Sequence, residues 1–229
     1  MSALGIVGGI APESTIDYYR RIIAMHRARS GDGSNPHILI NSIDVTRLLA
    51  LAGANELAQM TDYLSEAVAA LARAGASIAL FASNTPHLVF DAVQARSPVP
   101  LISIVAAAAA EANVRGLRRV GILGTRFTMQ AAFYPDVFSR YAITVVAPNP
   151  AEQETVHARY VGELVDGVFK PEAREQLLAI ITTMAQREGL DGVVLAGTEL
   201  PLLLRCEAAD GIPLLDTTAL HVAAAMGAL

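Results

Sequence analysis

Four short apolar runs of the sequence end in glycines or small polar residues. The four groups are Gly8-Gly9, Ser83-Asn84-Thr85, Gly124-Thr125 and Gly197-Thr198-Glu199. Backbone N–H groups at glycine turns, together with hydroxyl and amide side chains, are suited to binding carboxylates. The pattern therefore predicts a site for a small anionic substrate. The candidate substrate-binding residues in or near these groups are Gly9, Asn84, Thr85, Thr125, Thr128 and Thr198.

Nucleotide-binding signatures are missing from the glycine-containing segments. The run Gly5 to Gly9 lacks the glycine spacing of a dinucleotide fingerprint, and no phosphate-loop lysine follows it. The expected ligand is therefore a small carboxylate or amino acid.

The composition predicts a folded protein with a sizeable core. Of the 229 residues, 53% are hydrophobic, and the formal net charge is only -5. The 17 basic residues are scattered, which argues against a nucleic-acid partner. Apolar windows such as 99–110 are shorter than the ~20 residues that a membrane span needs, so no membrane partner is expected.

A single cysteine, Cys206, cannot form a disulfide within the chain, and the first residues lack the charged and apolar regions of a signal peptide. We therefore expect a cytoplasmic protein.

Apolar strands and amphipathic helices alternate along the chain. The pattern predicts a strand at Leu4 to Val7, a helix through Tyr18 and Ile22, and further strands at 38–41 and 78–82. Continuous apolar strands are typical of parallel sheets that are covered on both faces. The predicted fold class is α/β.

The second half of the chain repeats the first. Residues 4–9 are echoed 116 positions later by residues 120–125, and residues 75–85 are echoed 114 positions later by residues 189–199. Two matches in the same order indicate a duplicated unit. We expect one lobe from residues 1–100 plus 205–229, with the segment 212–215 as a strand of its sheet, and a second lobe from 101–204. If the lobes face each other, the four polar groups line one cleft, because ligands bind beyond the carboxyl ends of parallel strands.

Six segments spread over almost the whole chain together resemble the aspartate/glutamate racemase family. They are GGIAPEST at 8–15, ASNTPH at 82–87, GTRFTM at 124–129, GVFK at 167–170, LAGTELPLL at 195–203 and DTTALH at 216–221. The resemblance implies two similar lobes related by pseudo-twofold symmetry, each a parallel sheet flanked by helices. It also implies a homodimeric enzyme that needs no cofactor and racemises small acidic amino acids.

The resemblance further implies two thiols, one on each face of the substrate α-carbon. In the family, one cysteine precedes the Asn-Thr pair and the other precedes Thr-Glu. This chain has Ser83 and Gly197 at those positions. A thiol has a reference pKa of ~8.5, whereas serine is a far weaker acid and glycine has no side chain. Other groups must therefore move the proton, or racemisation is lost.

His87 and Glu199 are the candidate catalytic groups beside the missing thiols. A histidine has an ordinary pKa that suits proton transfer near neutrality. Each residue also has a structural interpretation: His87 as a partner of a neighbouring loop, and Glu199 as an acceptor for loop amides. Asp44 and His221 are further titratable residues near predicted strand ends.

Lys170 and Arg47 are candidates for binding the substrate's distal carboxylate. Lys170 is the sole lysine of the chain, and the resemblance places a lysine there and a basic residue near Arg47 in this role. The structural alternative for Lys170 is a solvated charge at a helix end.

The histidines and carboxylates show no metal-ligand spacing, so no metal site is expected. Three functions stay open: a racemase-family isomerase acting at the α-carbon, a lyase or decarboxylase on a small dicarboxylate, and a non-catalytic protein that binds small acids.

Overall fold

Short strands alternate with helices along the whole chain in the computed structural model, which describes residues 2–229. The strands are β1 (Leu4–Gly8), β2 (Ile38–Ser42), β3 (Ile78–Phe81), β4 (Leu101–Ile102), β5 (Arg119–Gly124), β6 (Thr144–Val146), β7 (Gly192–Ala196), β8 (Ala208–Ala209) and β9 (Ile212–Asp216). The α-helices are α1 (Pro12–Ser30), α2 (Val45–Gly53), α3 (Leu57–Arg73), α4 (Phe90–Arg96), α5 (Ile104–Val114), α6 (Arg126–Gln130), α7 (Phe133–Ser139), α8 (Pro150–Gly162), α9 (Pro171–Glu188), α10 (Leu200–Leu204) and α11 (Thr217–Gly227). Short 3-10 helices cover Thr85–Val89 and Leu164–Asp166.

The strands form two separate sheets. The first has the order β2-β1-β3-β4 and is parallel throughout. The second has the order β6-β5-β7-β9-β8 and is parallel except for the pairing of β8 with β9. The α/β class, with two parallel-dominated sheets flanked by helices, is confirmed.

The duplication seen in the sequence extends to strand pairing. In the first sheet Leu4 pairs with Ile78, and in the second Val120 pairs with Gly192. These four residues are the equivalents that the two sequence echoes predict. Both units therefore use the same strand order and register at their centres.

Strand β3 shows why the central strands are apolar throughout. Ile78 and Leu80 pack into one core cluster, whereas Ala79 and Phe81 pack into the cluster on the opposite face. Successive side chains of a strand point to opposite faces, so a sheet covered on both faces needs apolar residues at every position. From Ile78 onward, polar side chains begin only after the carboxyl end of β3, at Ser83.

The chain divides into two compact units whose limits differ from the predicted ones. The first unit runs to Ser103 and takes in His221–Leu229, and the second is Ile104–Leu220. The prediction that segment 212–215 joins the first sheet is wrong, because β9 pairs with β7. Leu214 and Leu215 of β9 pack into the two core clusters of the second sheet. An apolar strand can complete either sheet, and packing decides which.

A glycine turn sets the path from β1 to α1. Gly9 has a φ of +78°, and a Cβ there would lie 2.5 Å from the carbonyl oxygen of Ile43. Its N–H donates to Thr15 Oγ1 at 2.9 Å. A side chain at position 9 would therefore clash with Ile43 and separate this turn from the segment that follows β2.

Within residues 2–229, no helix is both long enough and apolar enough to cross a membrane.

Candidate functional site

Buried polar side chains are concentrated just beyond the carboxyl ends of the strands. Twelve polar side chains are buried within residues 2–229. Eleven of them lie within six residues after the end of β1, β3, β5, β7 or β9, and Thr61 is the exception. The eleven are Ser14, Ser83, Asn84, Thr85, His87, Thr128, Thr198, Glu199, Thr217, Thr218 and His221. Ligands of parallel sheets bind on this side, so these residues mark the candidate site in each unit.

In the first unit, the residues after β3 form one buried group. Ser83 and Asn84 precede the 3-10 helix that begins at Thr85, in which the His87 N–H donates to the Asn84 carbonyl at 2.9 Å. The His87 ring stacks on Phe90 with a centroid distance of 4.9 Å and an angle of 5°. The structure therefore brings these four predicted residues together and fixes the orientation of the imidazole.

His221, from α11, completes this group together with Tyr18 from α1. The His221 Nε2 atom lies 2.8 Å from the Ile102 carbonyl oxygen, which only accepts hydrogen bonds, so Nε2 carries the proton. In the neutral ring Nδ1 then accepts the hydroxyl proton of Tyr18, 2.8 Å away. The rings of His221 and His87 have centroids 6.5 Å apart.

Burial keeps both imidazoles neutral. The pKa of His87 is lowered to about 3, mainly by desolvation and to a smaller extent by the nearby His221. Hydrogen bonds to backbone carbonyls oppose the shift. Desolvation also lowers the pKa of His221 to about 4. An imidazole with such a pKa is a weak proton acceptor at pH 7. The burial of His87 and its stacking on Phe90 therefore favour the structural interpretation of this residue.

Replacing Tyr18 with phenylalanine should destabilise the protein by about 1–3 kcal/mol, because buried His221 Nδ1 loses the hydroxyl donor. Urea unfolding at pH 7.5 measures the change. The neighbouring Tyr19 is 46% exposed, so Tyr19→Phe is a matched control that should shift stability by no more than about 0.5 kcal/mol. Equal effects of the two variants would contradict the hydrogen-bonded arrangement.

In the second unit, β5 and β7 end side by side. Gly124 pairs with Ala196, which places Thr125 and Gly197 next to each other at the sheet edge. Thr125 caps α6 by accepting from the Thr128 N–H at 3.3 Å, and the two threonine hydroxyls lie 3.1 Å apart. Both predicted threonines therefore lie at this edge.

Glu199 lies at the centre of a buried polar group after β7. One carboxylate oxygen, Oε2, accepts from the hydroxyl of Thr198 at 3.1 Å and from the hydroxyl of Tyr160, which comes from α8. All three side chains are buried. The pKa of Tyr160 is raised well above its ordinary value, mainly by burial and to a smaller extent by the charge of Glu199, so the phenol stays protonated.

Tyr160 also fills the space beside Gly197. A Cβ built on Gly197 would lie 2.9 Å from both Cζ and the hydroxyl oxygen of Tyr160 and closer still to the ring carbon Cε2. A side chain at position 197 and the tyrosine ring therefore exclude each other. Sequence reasoning missed Tyr160 because it lies inside a helix with no motif around it. The sequence offered one indication: Gly197, between a strand and Thr198, has no side chain and so leaves space for a group from elsewhere in the chain.

The two predicted carboxylate-binding cations have protein partners. The Arg47 guanidinium lies over the Tyr63 ring, 4.4 Å from its centroid. Lys170 Nζ lies 3.2 Å from Glu163 Oε1, which also pairs with Arg159 at 2.6 Å. Asp44 caps α2 through a bond from the Thr46 N–H at 2.8 Å.

Cys206 is half-buried and packs against the core of the second unit rather than at a strand end. Among the described residues, no three histidine, cysteine, aspartate or glutamate side chains are grouped so as to hold a metal ion.

Known proteins resemble this chain over nearly its full length. The family model described as Asp/Glu/Hydantoin racemase matches residues 7–225. The broad specificity amino-acid racemase RacX of Bacillus subtilis (strain 168) is 23% identical over 221 residues, which are 94% of this chain and 93% of RacX.

Two solved structures superpose closely on the whole chain. A candidate Asp/Glu racemase of Yersinia pestis is 31% identical with a TM-score of 0.89, and the match covers 100% of this chain and 99% of that one. An aspartate racemase homologue from Pyrococcus horikoshii OT3 is 36% identical with a TM-score of 0.84 and the same coverage.

Proposed function

The chain belongs to the Asp/Glu/Hydantoin racemase family, and on that premise we propose that it is an isomerase acting at the α-carbon of a small acidic amino acid or related carboxylate. The observation that carries this proposal is the concentration of buried polar side chains beyond the strand ends of a chain that matches the family from residue 7 to residue 225. RacX, a relative along nearly the full length, is named as an amino-acid racemase of broad specificity.

The proposed reaction begins with removal of the α-proton. The electron pair of the broken bond moves into the α-carboxylate, whose oxygens gain negative charge. N–H groups and hydroxyls aimed at those oxygens stabilise the charge without having to reorganise. Asn84 and Thr85 carry N–H or hydroxyl groups of this kind in the first unit, and Thr125, Thr128 and Thr198 carry them in the second. Each set is proposed, within its own unit, as carboxylate-binding. Gly9 is also proposed as part of this site, because its lack of a side chain lets the turn after β1 pack against Ile43.

We propose that no pyridoxal phosphate takes part. That cofactor is bound by enzymes through a lysine Schiff base. The sole lysine, Lys170, has a side chain that is half exposed and is paired with Glu163. Its proposed role is electrostatic attraction of the distal carboxylate of the substrate, and the same role is proposed for Arg47 in the first unit. A racemase activity that survives hydroxylamine treatment would support this part of the proposal.

Exchange of the α-proton with heavy water tests the proposed function. We expect the α-proton NMR signal of L- or D-aspartate or glutamate to disappear with time and the opposite enantiomer to form. Heat-denatured protein gives the background rate. The proposal would be overturned if none of the four substrates lost its α-proton faster than the background rate. Bond cleavage without exchange would favour the lyase or decarboxylase, and saturable binding without turnover would favour a binding protein.

We also propose a homodimer, on the basis of the family resemblance. Light scattering of the purified protein should give twice the 24.1 kDa mass of one chain, and a single-chain mass would contradict it. A cytoplasmic location remains a prediction from the sequence.

A further inference from the structure

We propose that Tyr160 and Glu199 form a proton relay that replaces the side chain missing at position 197. In this relay the Tyr160 hydroxyl exchanges a proton with the substrate α-carbon while Glu199 holds the other proton. The inference rests on the proposed function, because it assigns the acid/base group of that reaction in the second unit.

The first support is position. Gly197 directly follows β7, at the sheet edge where Thr125 and Thr198 also lie. The Tyr160 hydroxyl oxygen is 2.9 Å from the point where a Cβ of residue 197 would stand. A polar group carried by residue 197 and the tyrosine hydroxyl would therefore reach the same volume. The ring comes from α8, yet it presents its hydroxyl where the strand end itself offers no side chain.

The second support is the hydrogen bonding of Glu199. A carboxylate only accepts hydrogen bonds, and Oε2 receives two of them, from Tyr160 and from Thr198. The Tyr160 proton therefore points at Glu199, and the hydroxyl oxygen retains lone pairs for a second proton. Thr198 fixes the carboxylate from the other side.

The chemistry balances without a free phenolate. As the Cα–H bond breaks, its proton bonds to the Tyr160 oxygen, and the original hydroxyl proton moves to Glu199 Oε2. The electron pair stays on the substrate as an enolate of the α-carboxylate. Tyr160 remains neutral and Glu199 becomes a carboxylic acid. The reverse sequence returns a proton to the same face of the carbon, so the relay accounts for proton exchange on that face, and inversion needs a second group on the opposite face. A phenolate beside the Glu199 carboxylate is avoided, which matters because burial and that charge both raise the pKa of Tyr160.

The other groups near the missing thiols fit this task less well. His87 belongs to the first unit, whereas Gly197 belongs to the second, so His87 does not stand in for a group at position 197. Cys206 lies between α10 and β8 rather than beyond the carboxyl end of a parallel strand. Ser83 lies in the first unit and has no comparable carboxylate partner among its hydrogen bonds in the described structure.

Phenylalanine at position 160 and glutamine at position 199 test the relay, because Tyr160→Phe keeps the ring beside Gly197 and Glu199→Gln keeps the side-chain shape. We expect each variant to lower kcat for α-proton exchange by about 100-fold or more, with KM changed little. The double variant should be no slower than the slower single variant, since both residues serve one proton path. Urea unfolding and circular dichroism verify that each variant is folded.

Matched controls are Tyr141→Phe and Glu207→Gln, which make the same chemical changes at exposed positions and should leave kcat unchanged. Folded Tyr160→Phe protein with wild-type kcat would overturn the relay and leave the proposed function intact. A raised KM with unchanged kcat would also overturn it, by reducing Tyr160 to a binding role. Wild-type protein without any exchange would overturn both the relay and the proposed function.

Discussion

Replacing Gly197 with cysteine is expected to destabilise the protein by about 1–3 kcal/mol, because the new side chain and the Tyr160 ring need the same space. The ring cannot move aside freely, since it is buried in the core of the second unit and its hydroxyl binds Glu199. The free energy of urea unfolding at pH 7.5 measures the effect.

Ser83→Cys is the matched control, because it introduces the same thiol at a site where a side chain of similar size is already accommodated. It should change stability by less than about 1.5 kcal/mol. Combining Gly197→Cys with Tyr160→Ala should cost less than the two single changes added together, because the thiol enters the space that the ring leaves. Wild-type stability of the Gly197→Cys protein would contradict the steric exclusion.

This conflict changes how the missing thiols can be restored. From the sequence alone, cysteine at 83 and 197 is a simple pair of replacements. In the structure, position 83 can take the thiol directly, whereas position 197 is coupled to Tyr160. A recovered thiol pair is therefore expected to be accommodated at lower cost with a third change, at residue 160.

Acidification is expected to destabilise the first unit well before the carboxylates titrate. In the folded protein the pKa of His87 is lowered to about 3 and that of His221 to about 4, whereas both are near 6.5 in an unfolded chain. Between these values the unfolded chain binds more protons, so the free energy of unfolding falls as pH falls. The loss begins near pH 6.5 and reaches about 2 kcal/mol for each ring at pH 5.

Urea unfolding at pH 8, 7, 6 and 5 measures this dependence. The His87→Phe variant keeps an aromatic ring against Phe90 and removes one titrating group. Between pH 8 and pH 5 it should lose about 2 kcal/mol less than the wild type. Parallel curves for the two proteins would contradict a buried neutral His87, as would a wild-type curve that stays flat to pH 5.

Several features of the fold follow from the sequence because their causes are local or repeated. Leu4-Gly5-Ile6-Val7 and Val120-Gly121-Ile122-Leu123 are apolar at nearly every position, which predicts strands buried on both faces. Their echo at a near-constant offset predicts one strand-pairing register used twice, and Leu4 with Ile78 and Val120 with Gly192 confirm it. Polar residues directly after these strands predict the side of each sheet where a site lies, because parallel strands all end at the same edge.

Tertiary packing decided what the sequence left open. The segment 212–215 has the pattern of a strand, but only its fit against β7 assigns it to the second sheet. Lys170 is a charged residue in a family-like segment, and the structure pairs it with Glu163. From the sequence, His87 is expected to have the ordinary pKa of a histidine, but its burial in the structure lowers that pKa to about 3.

Tyr160 is the clearest example of a residue whose position could not be predicted from the sequence. It lies 39 residues from Glu199 in the chain and within a helix, so no spacing rule connects the two. The sequence by itself determined that position 197 carries no side chain. Only the folded chain determined that a tyrosine ring from another element occupies that space, because contacts between distant segments arise from packing and leave no periodic signal in either segment.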